Sequence, residues 1–109
     1  MKKVLILSGP THEYFDPVRF IGNASSGKMG KALAEEAIFQ GLEVEFISGP
    51  VPEENLPTLG NSITRITSAQ EMLAAARAKF AEADIIIFAA AVADFQPLEK
   101  SDEKVPKVG

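Results

Sequence analysis

A three-layer α/β/α fold around a parallel sheet is predicted for this 109-residue chain by three features of its sequence. Candidate strands alternate with candidate helices in the order β-loop-α-β-loop-β-α-β, the arrangement of parallel α/β domains. The first and last strands, within KVLILS and IIIFA, are apolar through their length, as strands covered on both faces are. Each helical stretch carries its own start or stop signal. With right-handed crossovers the four strands are expected in the order 3-2-1-4.

Taken in order, Lys3 to Ser8 is the first strand, a run of leucine and β-branched residues. The connection GPTHEYFDPVRFIGNASS is long for a βα loop, and such loops are usually functional or disordered. Within it an Asp16–Arg19 turn contact is expected to shape the loop. His12 is the lone histidine, with no obvious partner, and is assigned a surface or loop role rather than a catalytic one. From Ser26 the pattern becomes helical in SGKMGKALAEEAIFQG. Ser25 or Ser26 is the expected cap, Met29, Ala32, Leu33 and Ala37 fall at helical spacing, with Met29 read as a core residue, and Gly41 ends the helix.

Glu43 to Ser48 is the second strand, and GPVPEENLPTLGNS is a polar, proline-rich loop without helical period. ITRIT supplies a short third strand. Ser68-x-x-Glu71 is a capping box for the helix AQEMLAAARAKFAEA. Ile85 to Ala89 is the fourth strand, continuing through small residues to Asp94. The organisation is therefore one domain over 1–95 and a flexible flap or tail over 96–109, where charge and proline leave no period. Four strands followed by such a tail look like half of a fold, and an uncovered edge would favour self-association.

Composition narrows the function. A net charge of −4 gives no basic excess with which to bind nucleic acid in bulk, so any anion site must be local. Without cysteine there are no disulfides or thiolate metal sites, which says nothing of redox compartment beyond being compatible with a cytoplasmic location. The short apolar run after the N-terminal lysines is below the roughly 7–15 residues of a signal core. No stretch reaches the roughly 18 apolar residues of a membrane span.

The segment IGNASSGKMG, Ile21 to Gly30, is the chemically suggestive one. Read from Gly22 it imitates a Walker loop, but strand one ends well before it, and Met29 stands where a magnesium-binding Ser or Thr belongs. Read from Ser25 it is a Rossmann-like S-x-G-x-x-G lacking the first glycine. Gly27 would let backbone approach a phosphate and Gly30 would let the helix pack closely on the sheet. The N–H groups of the helix start, with Lys28 and the Ser25 and Ser26 hydroxyls, form a competent anion cradle. A nicotinamide enzyme would want an acid after strand two, where Ser48-Gly49-Pro50 stands, and a Tyr-x-x-x-Lys pair, which is missing. In such sheets ligands sit at the switch point, here the C-terminal ends of strand one (Ser8, Gly9) and strand four (Ala89 to Asp94). Ser-Ser-Gly alone would be no more than a helix cap.

The stretches SGPTHEYFDPVRFIGNASSGKMGKALAE, SGPV, TSAQEM, AAAVADFQP and EKVPK, in that order, resemble phosphopantothenoylcysteine synthetase, the phosphopantothenate–cysteine ligase of coenzyme A biosynthesis. The resemblance covers essentially the whole chain, as the N-terminal half of such a ligase. It implies a cytoplasmic enzyme that uses CTP or ATP with Mg²⁺ to convert 4'-phosphopantothenate to an acyl-nucleotidylate, which L-cysteine then captures as an amide. Carried over by position, Gly9, Ser25, Gly27 and Gly30 correspond to nucleotide-phosphate contacts, with Ser26 and Lys28 beside them. Asn23 corresponds to the residue holding the acyl-nucleotidylate, Ala90 and Ala91 to backbone lining the substrate pocket, and Asp94 to a polar substrate or nucleotide contact. Lys104 corresponds to a flap lysine that closes over the triphosphate, and no residue corresponds to a protein metal ligand.

Each position also has a plainer reading: Lys104 as a solvated tail charge, Asn23 as a left-handed turn residue or earlier cap, Asp94 as a turn cap. The flap departs from the usual Lys-apolar-Lys-Lys, since Pro106 replaces a lysine. The resemblance further implies a homodimer in the full-length enzyme, a flavin-binding decarboxylase or separate C-terminal half as partner, no membrane or nucleic acid, and little activity from these 109 residues alone. An NAD(P)-binding oxidoreductase-like domain and a noncatalytic nucleotide-binding fragment are the rival readings.

Overall fold

The computed structural model describes residues 2–22, 25–58 and 62–91. Its centre is a four-stranded parallel sheet of β1 (Lys3–Pro10), β4 (Glu43–Ser48), β5 (Ser62–Arg65) and β6 (Ile85–Ala91), in the spatial order β5-β4-β1-β6. This is the expected 3-2-1-4 order, counting only the strands of this sheet. Two helices complete the layers, α1 (Lys28–Phe39) and α2 (Ala69–Phe80). β1 pairs with β4 from Lys3 opposite Glu43 to Ser8 opposite Ser48, and with β6 from Val4 opposite Ile85 to Pro10 opposite Ala91.

Because side chains alternate along a strand, β1 serves two cores. Val4 and Ile6 join Val44, Phe46, Ala34 and Ala37 on the α1 side. Leu5 and Leu7 join Ile47 and Met72 on the α2 side. Each fully buried side chain of this size stabilises by about 1.5–3 kcal/mol, so the centre of the sheet dominates the energetics.

Helix ends follow their local chemistry. α2 begins at the expected capping box: Ser68 Oγ accepts from Glu71 N–H at 3.2 Å, and Glu71 Oε1 accepts from Ser68 N–H at 2.9 Å. α1 ends in a Schellman arrangement, with Gly41 at φ 84°, its N–H on Ile38 O at 2.9 Å and Leu42 N–H on Ala37 O at 3.0 Å.

The structure corrects five expectations. Ser25 and Ser26 do not stand at the N-cap of α1; that residue is Gly27, at φ 80°, with no side-chain cap bond, and Ser26 Oγ accepts from Lys28 N–H at a long 3.4 Å. Met29 is not a core residue but is 71% exposed. The buried face runs through Gly30, Ala34 and Ala37, and one residue's offset turns a side chain by about 100°. The long first loop contains a small antiparallel hairpin, β2 (His12–Tyr14) with β3 (Phe20–Gly22). The proline-rich loop contains a 3₁₀ turn, Glu53–Asn55. Finally, β6 is not covered on both faces: Ile86 and Phe88 are exposed although apolar, because α2 packs on β1 and β4 and leaves that face of β6, an outer strand, uncovered among the described residues.

At the opposite end of the sheet, Lys3 Nζ reaches Glu82 Oε2 at 3.4 Å, and that hydrogen bond raises the lysine's pKa above its ordinary value.

Candidate functional site

β1 and β4 both end at glycine-containing turns, and α1 starts between them. Gly9 has φ 81° and Gly27 φ 80°, left-handed conformations that a side chain would strain. A Cβ at Gly9 would stand 3.2 Å from both Gly49 N and Val51 Cγ1, and one at Gly27 2.9 Å from Val51 Cγ1. The Val51 side chain therefore packs on both glycines, and the three turns close on one another at the C-terminal edge of the sheet. Val51 closes the SGPV stretch of the resemblance but has no role assigned from sequence, since a valine in a proline-rich loop carries no signal of its own.

Gly30 has a packing role. A Cβ there would overlap Ser8 Oγ and Cβ, so glycine is what lets the first turn of α1 lie against β1. Ser8, 1% exposed, has an Oγ with no hydrogen-bond partner among the described residues.

The start of α1 is electrostatically suited to an anion. Among the described residues no acidic side chain lies in its first turn, and its N-cap residue, Gly27, has no side chain with which to cap it. The unpaired N–H groups of a helix start carry partial positive charge. Ser26 and Lys28 are exposed beside it, and Ser25 is half-buried. The 3₁₀ turn is tied across this start: Asn55 Nδ2 donates to Ser26 O at 2.8 Å and Lys31 Nζ to Glu54 O at 2.6 Å.

The long first loop borders the same edge. Asp16 is fully buried; its Oδ1 accepts from Val18 N–H at 2.8 Å and Arg19 N–H at 2.7 Å, while its Oδ2 accepts from Arg19 Nε at 3.1 Å. The expected Asp16–Arg19 contact thus sets the hairpin turn, and Arg19 also lies over the Phe15 ring at 5.5 Å. His12, expected to lack a partner, lies in β2 and stacks on Phe20 at 4.0 Å. The hairpin is pinned to the body by His12 N–H on Thr67 O at 2.7 Å, Thr11 N–H on Ala91 O at 3.2 Å and Glu13 Oε2 on Ala69 N–H at 2.8 Å. Glu13 is buried and reads in sequence as an ordinary loop acid, so its docking onto the start of α2 was not foreseeable.

Of the candidate site residues, the structure brings together Gly9, Ser25, Ser26, Gly27, Lys28 and Gly30 at one end of the sheet. Ala90 and Ala91 share that end, in register with Gly9 and Pro10. Asn23, Asp94 and Lys104 lie outside the described residues. Among the described residues no three His, Cys, Asp or Glu side chains gather as a metal site.

The fold and this edge together define a parallel α/β domain of three layers with a glycine-lined helix start at the switch point of its sheet. Residues 1–109 match the family described as the DNA/pantothenate metabolism flavoprotein C-terminal domain, and the chain belongs to that family. It is 49% identical over 108 residues to the coenzyme A biosynthesis bifunctional protein CoaBC of Vibrio vulnificus, covering 97% of this chain and 26% of that one. It superposes on the crystal structure of the C-terminal domain of a CoaBC protein with a TM-score of 0.82 at 46% identity, over 89% of this chain and 48% of the other. The corresponding flavoprotein from Streptococcus pneumoniae gives 0.80 at 29% identity, over 90% and 43%. The chain therefore spans about a quarter of the curated relative and about half of each of these solved chains.

Proposed function

We propose that this chain is the N-terminal, nucleotide- and phosphopantothenate-binding half of a phosphopantothenate–cysteine ligase. The observation that carries the reading is the start of α1, free of acid in its first turn and begun by a glycine that cannot cap it, framed by Gly9 and Gly27 in left-handed conformations at the switch point. The resemblance of the flanking segments to this ligase, and relatives named for coenzyme A biosynthesis, support it.

In the proposed reaction a carboxylate oxygen of 4'-phosphopantothenate attacks the α-phosphorus of CTP or ATP. The bond to pyrophosphate breaks and an acyl-nucleotidylate forms. The cysteine amine then attacks the acyl carbon, losing a proton and expelling the nucleoside monophosphate as the amide forms. Mg²⁺ supplies charge neutralisation on the triphosphate when bound. The helix start, Ser25, Ser26 and Lys28 hold phosphate oxygens, Gly9 and Gly27 admit them closely, and Gly30 seats the helix. Asn23 has an amide able to donate and accept toward the acyl group. Ala90 and Ala91 expose backbone on the substrate side, Asp94 supplies a polar contact, and Lys104 closes over the triphosphate and excludes water. The full-length enzyme is a cytoplasmic homodimer, with a decarboxylase domain or a separate C-terminal half as its partner.

Calorimetric titration of the purified chain with CTP, ATP and NADPH tests the binding half of this reading. Saturable binding of CTP or ATP, with 4'-phosphopantothenate adding to it, is the expected result. Binding of NADPH with neither nucleoside triphosphate would overturn it in favour of an oxidoreductase-like domain.

A further inference from the structure

The connection after β4 reaches back over the start of α1 and touches it at three points. Val51 packs on Gly9 and Gly27. Lys31 Nζ donates to Glu54 O at 2.6 Å, and Asn55 Nδ2 donates to Ser26 O at 2.8 Å. The turn that presents Asn55 is itself fixed: Asn55 N–H bonds Pro52 O at 2.9 Å, Leu56 N–H bonds Glu53 O at 3.0 Å, and the buried Leu56 belongs to the α1-side core. Asn55 is thus a half-buried side chain on an anchored turn, bonded to a backbone carbonyl 29 residues away in sequence.

That carbonyl belongs to the peptide unit joining Ser26 to Gly27. The unit is planar and trans, so its C=O and N–H point in opposite directions. Fixing the Ser26 carbonyl toward Asn55 fixes where the Gly27 N–H points. Gly27 needs such a restraint more than a residue with a side chain does, because without a Cβ its backbone has wider conformational freedom. We infer that Asn55 is a positioning residue for the anion site: through the Ser26 carbonyl it aims the Gly27 N–H and sets the entry angle of α1. The inference rests on the reading of this helix start as a phosphate site, and it adds a residue outside the S-x-G-x-x-G segment to that site.

The test pairs Asn55→Leu, which removes the donor without adding charge, with Asn55→Gln, which keeps an amide donor. Binding of CTP, ATP and inorganic pyrophosphate is measured by calorimetry, and backbone amide shifts of residues 25–29 by ¹⁵N NMR of the unliganded chain. Asn55→Leu is expected to move the Gly27 and Lys28 amide signals and to weaken nucleotide or pyrophosphate binding about three- to tenfold. Asn55→Gln should restore most of both. Unmoved amide signals, or wild-type affinity in Asn55→Leu, would overturn the inference. If the wild-type chain binds none of the three anions, the phosphate reading fails instead, and the amide shifts alone decide whether Asn55 aims the Gly27 peptide.

Discussion

Gly30 lies so close over Ser8 that a single methyl group at position 30 would occupy the space of the Ser8 side chain. The sheet and the first turn of α1 meet there without a layer of side chains between them. Gly30→Ala should therefore destabilise the chain by about 1–3 kcal/mol through overpacking, although alanine is the better helix former. Chemical denaturation of the variant checks this. Ser8→Gly should recover part of the loss in the double variant, and full additivity would show that the two positions do not couple.

Ser8→Ala by itself should be neutral or stabilising by up to about 1 kcal/mol. Its hydroxyl is buried with no hydrogen-bond partner among the described residues, so removing it ends a desolvation cost without breaking a bond. A loss above about 1 kcal/mol in the same denaturation assay would mean that the hydroxyl has a partner.

Asp16→Asn should cost about 2–3 kcal/mol. The carboxylate is fully buried and accepts two backbone N–H bonds as well as the Arg19 Nε, and the amide cannot reproduce that charge-assisted set. The hairpin should loosen first, which faster amide exchange at Phe15 would report, because Phe15 N–H is held on Arg19 O at 3.1 Å.

Gly27→Ala should weaken nucleoside triphosphate binding more than it lowers stability. Alanine at φ 80° costs about 1–2 kcal/mol, and its Cβ would press on Val51. The compliant neighbour is a side-chain methyl, so the fold can yield, but the N–H groups at the helix start would be re-aimed. A stability loss of about 1–2 kcal/mol with CTP or ATP binding weakened by more than about thirtyfold is the expected pattern.

Asn23→Ala, tested in a full-length ligase carrying this domain, should slow formation or use of the acyl-nucleotidylate while leaving triphosphate affinity within about threefold. Equal losses in both would remove the division of labour between Asn23 and the Ser25–Gly30 segment.

The sequence by itself determined the architecture and the neighbourhood of the site. Strand-helix alternation fixed the sheet order, Ser68 and Glu71 marked one helix start, Gly41 one helix end, and the Asp16–Arg19 spacing marked a turn. These signals are local, and a local rule of hydrogen bonding or periodicity is sufficient to read them. The tertiary structure decided what depends on approach between distant segments. Met29 turns outward because Gly30, not its neighbour, meets Ser8 across the helix–sheet contact. Gly27 rather than a serine begins α1 because a left-handed residue is needed beside Val51. Asn55 and Glu13 find partners 29 and 56 residues away, at distances set by the sheet and not by their own segments. The motif around Ser25 and Gly27 was legible because it is contiguous; the turn that braces it is assembled only when β4 delivers Val51 and Asn55 to the same edge.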